Sequence, residues 1–244
     1  MGSARWGRGP TDQVGVGPVI RAVAFDASET LFTNAHLVPS ILEVSRRSLP
    51  DLEPEDVDRA IGLVGDEGKW PEDSANHADR HRRWTEFYFE VSTRMGILAS
   101  SERAAVANAA ANAVCDPLSY ELFPDVLPTL LRLKQAGYAL AIISNFDSLL
   151  AAIVERLRLD SFFPVVITSW QVQAYKPNKI IFEHAVTQLG LSPSEVLFVG
   201  DSPYSDMAGA LGAGMHPLLI DRTGTVGPWK GPRINDLGRV LDHV

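Results

Sequence analysis

Apolar residues along the chain cluster in two ways. Short runs of β-branched and other apolar residues occupy 21–25, 138–143, 164–168, 196–199 and 216–220. None alternates cleanly with polar residues. That pattern predicts strands buried on both faces, as in a parallel sheet. Between them the apolar positions recur at helical spacing. Residues 126–135 carry leucine at 127, 130, 131 and 133 and stop at Gly137, a helix C-cap signal. Helices are also predicted over 149–159, over 180–189 with a stop at Gly190, and over 207–211 before Gly212. Alternating strands and helices of this kind predict an α/β domain with a Rossmann-like parallel sheet and helices on both faces.

One stretch departs from that rhythm. From Phe32 to about Leu122 the pattern predicts helices and no strand. The expected helices are 41–48, 54–63 with acidic residues in its first turn, an aromatic 75–95, and an alanine-rich helix from a Ser100 or Ser101 cap to about Cys115. The domain organisation expected is a flexible tail at 1–18, a core formed by 19–32 and 120–244, and an inserted helical cap at 33–119. A helical block inserted after the first strand reads as a lid over the strands' carboxyl ends, where open parallel sheets bind ligands.

Composition narrows the function classes. The 244 residues are 45% hydrophobic, ordinary for a soluble globular protein. The 22 basic and 30 acidic residues leave a net charge of −8, which argues against a nucleic-acid surface. A small anionic substrate stays compatible, because one local cationic pocket can outweigh the whole. The lone cysteine, Cys115, excludes an intrachain disulfide and a multi-cysteine zinc site and reads as a small core residue. No apolar run reaches membrane-spanning length and no signal-type segment opens the chain. The expectation is a cytoplasmic protein that touches neither membrane nor nucleic acid. Its oligomeric state is left open.

Four polar segments follow predicted strands: Asp26 in FDASETL, Ser144-Asn145 in IISN, Lys176 in YKP, and Asp201 with Asp206 in GDSPYSD. Asp26, at a strand–loop junction, could attack phosphorus or an alkyl carbon, or be a turn aspartate. The Ser144 hydroxyl and a main-chain N–H at Asn145 could hold phosphoryl oxygens, or open a turn before Asp147 caps a helix. Lys176 could neutralise a nucleophile and a transferring group together, or be a solvated loop lysine. Asp201 and Asp206 could hold a hard divalent cation, or Asp201 or Ser202 could cap a helix. Singly these readings compete. Jointly, and in this order, the segments are hard to obtain by accident.

In these residues, together with Thr30, the chain resembles the haloacid dehalogenase-like hydrolase superfamily over about residues 20–222. The insert resembles that family's lid of the first type. The resemblance implies an aspartyl nucleophile, a bound magnesium ion (Mg2+) and small substrates, most often phosphate esters. It implies Asp26 as nucleophile and metal ligand, Ser144 as phosphoryl anchor, Lys176 steadying both, Asp201 as metal ligand and Asp206 in support. Family phosphatases carry an acid/base aspartate two residues after the nucleophile. Here that residue is Ser28, whose main-chain carbonyl keeps the family's metal-ligand role while its hydroxyl is no general base. Losing a positioned acid/base costs about 10²–10⁴-fold.

Glu29, in a segment taken as extended, should point away from Ser28. Three outcomes fit: a phosphatase for good leaving groups, a different bond as in the superfamily's dehalogenases and phosphonate hydrolases, or a binding module. A metal-free carbon–halogen displacement has no use for a hard-cation site. A phosphonate hydrolase wants a reactive lid lysine, and Lys69 stands among acids that raise its pKa. The lid's His77, His81, Arg82, Arg83 and Trp84 read mainly as an aromatic core face beside a basic solvent face. His36 and His216 read as structural.

Overall fold

The computed structural model describes residues 19–244 apart from Ala75; the tail expected at 1–18 lies outside the described residues. In chain order come β1 (Ala22–Phe25), β2 (Phe32–Asn34), α1 (Leu37–Ser45), α2 (Pro54–Asp66), α3 (His77–Arg94), α4 (Ser100–Cys115), β3 (Tyr120–Leu122), α5 (Val126–Gln135), β4 (Ala139–Ser144), α6 (Leu149–Arg156), β5 (Val165–Thr168), α7 (Ser169–Val172), α8 (Lys179–Leu189), β6 (Val196–Gly200), α9 (Gly209–Gly212), β7 (His216–Ile220) and β8 (Arg233–Ile234). The main sheet has six strands in the order β5-β4-β1-β6-β7-β8, and every pairing in it is parallel. The chain moves from β1 outward to β4 and β5, then crosses back to β6 on the other flank. That reversal leaves a crevice beyond the carboxyl ends of β1 and β6.

Strand alternation divides the core into two layers. Val23, Phe25, Leu140, Ile142, Leu197 and Val199 face one side, where α5, α6 and the C-terminal 3₁₀ turn contribute Leu130, Leu133, Leu150, Ile153 and Leu237. Ala22, Ala24, Ala141, Ile143, Val196 and Phe198 face the other, where α8 supplies Ile181, Phe182 and Ala185. Every residue of β1 and β6 is buried, so no strand face is left for the polar half of an alternating pattern.

The insert has a core of its own, built from Ile41, Val57, Val64, Phe87, Tyr88, Val91, Val106, Ala107 and Ala110. Its helices are capped locally. Asn76 accepts the N–H groups of Ala78 and Asp79 at the start of α3, and Glu53 closes a reciprocal capping box on α2. Ala99, with no side-chain cap, precedes α4, so neither Ser100 nor Ser101 caps it.

The expectation of no strand between Phe32 and Leu122 is corrected. β2 and β3 form a two-stranded antiparallel sheet, Phe32 opposite Leu122 and Asn34 opposite Tyr120. It is the double crossing by which the chain enters and leaves the insert. Three residues per strand are too few for a period to register. β8 and α7 escaped notice for the same reason. The helix expected at 207–211 begins earlier, as a π-type turn over Pro203–Ala208 that runs into α9.

Candidate functional site

The four segments converge at the β1–β6 crevice. Asp26 leaves β1 with its N–H donated to the Val199 carbonyl of β6 at 2.8 Å, which seats it beside the end of that strand. Asp26 is 7% exposed and Lys176 5%. The Ser144 hydroxyl donates to Asp26 Oδ1 at 2.8 Å, and Lys176 Nζ donates to the same oxygen at 2.5 Å. Among the described residues no side chain donates to Oδ2. Lys176 Nζ also lies 2.7 Å from Asp206 Oδ1. That contact is an ion pair without an aligned hydrogen bond, and Oδ1 is a buried oxygen with no other partner.

Asn145 does not point its side chain at the crevice as a donor. Its Nδ2 donates to the Lys176 carbonyl at 3.1 Å, and its Oδ1 accepts the Lys176 N–H at 2.7 Å. The amide therefore clamps the lysine's main chain, and only the Asn145 main-chain N–H remains for an anion.

The GDSPYSD turn is built around Asp206. Ser202 N–H donates to Asp206 Oδ2 at 2.9 Å, and the Ser202 hydroxyl accepts the Ser205 N–H at 3.1 Å. Ser202, not Asp201, is thus the capping residue. Gly200 is obligatory here, because a Cβ on it would stand 2.5 Å from the Asp206 carboxyl carbon. A π-type turn beside a reactive cluster is a recurrent device for aiming a side chain.

Asp26, Asp201 and Asp206 offer oxygens within 4.8 Å of one another. Burial, then the negative charges of Asp26 and Asp206, push the Asp201 carboxyl up to about 8. Burial likewise raises Asp206 against the opposing pull of Lys176. On Lys176 burial acts downward, yet the Asp206 and Asp26 charges overrule it and hold the ammonium well above its ordinary value. One ammonium facing three crowded carboxylates leaves negative charge uncompensated. A hard cation on these oxygens fits both that excess and the Asp206 Oδ1, whose one close neighbour is the Lys176 ammonium.

Ser28 is half-buried and bridges to Phe32. The segment after it is a turn, not extended chain. Glu29 sits at φ 56°, in the left-handed region that costs a non-glycine residue energy, and its carboxylate accepts the Thr33 hydroxyl at 2.8 Å. Side chains therefore do not alternate from Ser28 to Glu29 as they would in extended chain.

In the insert, Lys69 is half-exposed and paired with Glu67 and Glu90. The hydrogen bond to Glu67 leads the effects that raise its pKa, the opposite of what Schiff-base chemistry needs. Arg82 and Arg83 are spent on Asp79, Glu86 and Glu72. Trp84 stacks on Tyr88, and His81 bonds Asn112. Burial pushes the Cys115 thiol up to about 11, consistent with a core residue. His216 bonds the Ser194 carbonyl.

The buried Arg80–Asp147 pair and the half-buried Arg222–Asp125 pair leave no local signal of pairing in the sequence. Arg80 on α3 bonds Asp147, which also accepts the Leu149 N–H at the start of α6. Arg222 binds Asp125 at 2.8 Å and donates to the Thr30 carbonyl at 2.8 Å, bracing the nucleophile turn. The RHRRW run could have singled out Arg80 by spacing, since Asp79 and Arg83 share one helix face (i, i+4) while Arg80 points elsewhere.

The profile of haloacid dehalogenase-like hydrolases matches residues 20–214. Glyceraldehyde 3-phosphate phosphatase of Methanopyrus kandleri is 30% identical over 217 residues, 84% of this chain and 85% of that protein. (S)-2-haloacid dehalogenase 4A of Burkholderia cepacia is 36% identical over 103 residues, 42% of this chain and 44% of that one. The crystal structure of a phosphatase of the same superfamily from Thermococcus onnurineus superposes with a TM-score of 0.62 at 24% identity, covering 92% of this chain and 97% of that one, a likeness of fold. The chain belongs to the haloacid dehalogenase-like hydrolases and is a hydrolase. No helix among the described residues is long and apolar enough to cross a membrane.

Proposed function

We propose that the protein is a magnesium-dependent phosphatase of small organic phosphates that works through an aspartyl-phosphate at Asp26. The observation that carries this reading is the crowded carboxylate set of Asp26, Asp201 and Asp206 within 4.8 Å. A metal-free displacement at carbon would gain nothing from three mutually repelling acids beside its nucleophile. A phosphoryl transfer needs a counter-cation there. The relative named as a glyceraldehyde 3-phosphate phosphatase, which spans 84% of the chain, supports a small phosphorylated substrate.

Asp26, Asp201, Asp206 and the Ser28 carbonyl would hold the magnesium ion, which would supply charge neutralisation at the phosphoryl oxygens. The rest is done by side chains. Lys176 and Ser144 fix Asp26 through Oδ1, so Oδ2 is the oxygen that attacks phosphorus. The bond from phosphorus to the ester oxygen breaks, and the leaving alkoxide departs with its electron pair. The Asn145 N–H holds a non-reacting phosphoryl oxygen, the Ser144 hydroxyl joins it by turning its one proton from Asp26 Oδ1 to the bound group, and Lys176 offsets the charge shared with Asp26. Water then attacks the phosphorus of the aspartyl-phosphate, the bond from phosphorus to Asp26 Oδ2 breaks with its electron pair returning to the carboxylate, and the water's proton passes to bulk solvent, Ser28 offering no base to take it. The helical insert serves as the lid over this crevice.

Ser28 stands where a proton donor to the leaving oxygen would sit. The enzyme therefore prefers esters whose leaving groups need no proton, such as aryl or other acidic alcohols. The test is phosphate release with magnesium from p-nitrophenyl phosphate and from an alkyl phosphate. Turnover is expected on the first and not in Asp26→Asn. Absence of release in the wild type would defeat the reading. Ser28→Asp is expected to raise alkyl-ester turnover by about 10²–10⁴-fold, the usual worth of a positioned acid/base.

A further inference from the structure

Ser144, Asn145, Phe146 and Asp147 are consecutive, and they divide into two pairs. The first pair faces the reacting centre: Ser144 donates to Asp26 and Asn145 clamps Lys176. The second pair faces the insert and the segment leading into it. Asp147 Oδ2 takes Arg80 Nε of α3 and, at 3.4 Å, the Ser74 N–H, while its Oδ1 accepts the Leu149 N–H at 2.8 Å. Arg80 Nη2 goes on to the Ser74 carbonyl and the Ser148 hydroxyl, both at 2.9 Å. The Ser169 hydroxyl, within 3.3 Å of the Phe146 carbonyl, donates to Asp73 at 2.5 Å.

Arg80 is 6% exposed and Asp147 7%, although they belong to different units of the fold. A guanidinium buried this deeply is held in one geometry by its planar fork. If the insert lifts, Asp147 loses Arg80 and the Ser74 N–H and keeps only the Leu149 N–H at the start of α6. The loop is then released from its clamp to the insert, and Ser144 and Asn145 lie two or three residues away. Resting on the phosphatase reading of those two residues, we propose that Arg80, acting through Asp147, is a positioning residue. Docking of the insert through this pair seats the loop that holds the transferring phosphoryl group, so that the site is complete only when the lid is down.

The experiment is a double-mutant cycle on the full chain: Arg80→Met, Asp147→Asn and both, assayed on p-nitrophenyl phosphate with magnesium, alongside amide hydrogen exchange. Arg80→Met is expected to lose on the order of 10²-fold in kcat, the cost of about 1 Å of misplacement. The double variant should be no slower than Arg80→Met, because both changes cut one link. Exchange should quicken at the amides of 144–149 and 73–80 while β1 and β6 keep their protection, which a general loss of stability would not produce. Additive effects, or a folded Arg80→Met with kcat within about twofold of wild type, would overturn the proposal. Should Arg80→Met fail to fold, Arg80→Lys, which keeps the charge and loses the fork, is read by the same criteria. If the wild type releases no phosphate, the phosphatase reading falls. The exchange data then decide the coupling by themselves, and unaltered exchange at 144–149 rejects it.

Discussion

Two groups of charged side chains in this protein, one half-buried and one buried, set carboxylates against a cation to opposite ends. At Asp125, burial alone would raise the carboxyl's pKa, but the Arg222 guanidinium and the Leu237 N–H overrule it and hold it below its ordinary value. At Asp201 and Asp206, burial acts in the same direction and like charges add to it, so both carboxyls stand above theirs. The difference is stoichiometry. Arg222 meets Asp125 one to one, with the Leu237 N–H at 2.7 Å in support. Lys176 alone faces Asp26 and Asp206, with Asp201 close by. A balanced pair is finished architecture. An unbalanced one holds electrostatic energy that only an added cation or a proton can relieve.

The largest effect should come from the nucleophile. Asp26→Asn removes the attacking oxygen and is expected to lower kcat by about 10⁴-fold or more, as loss of a triad member does elsewhere. It also deletes one of three repelling carboxylates, so its thermal midpoint without metal should equal or exceed the wild type's. A variant that loses activity and several degrees together would mean that Asp26 is as structural as Asp125. Calorimetry beside the phosphate assay separates the two.

Next comes the balanced pair. Arg222→Met leaves the half-buried Asp125 without its cation and strips the Thr30 carbonyl of a donor. Breaking one side of a half-buried pair should cost more than about 1 kcal/mol, the figure for an exposed pair, and less than about 3–5 kcal/mol, that for a fully buried one, readable as a lowered urea midpoint with unchanged slope. A loss below about 1 kcal/mol, typical of solvent-exposed pairs, would erase the contrast from that side.

These contrasts also mark what the sequence made legible. Strands β1, β4, β5, β6 and β7 came through to within a residue at each end because continuous apolar runs are the mark of a sheet covered on both faces. Asp26, Ser144, Lys176, Asp201 and Asp206 were legible because each follows such a strand and the topology carries strand ends to one crevice. Asn145 was read for the right neighbourhood but not for its clamp on Lys176, since a bond across 31 residues leaves no local trace. Arg80 and Arg222 stayed hidden for the same reason: their partners lie 67 and 97 residues away. The Glu29 turn was missed because a left-handed φ at glutamate contradicts the local preference that the reading relied on.

The smallest predicted effect is the sharpest on mechanism, because it concerns sign. Asp201 ionises at about 8 in the folded protein against about 3.9 for an unperturbed aspartate. Between those values the folded state binds more protons than the unfolded one. Metal-free stability must therefore fall as pH rises through that window, by linkage. At Asp125 the shift is downward, so its contribution is present above the unfolded pKa and lost as pH falls through the folded one. Asp201→Asn deletes the first dependence and spares the second. In a chelator the variant should melt higher than wild type at pH 8 and converge on it near pH 4. With magnesium present the order should reverse, because the cation stabilises only the chain that binds it. A variant that melts lower than wild type in chelator at pH 8 would mean that Asp201 is already compensated by the protein, and the site would then have no electrostatic need of a metal.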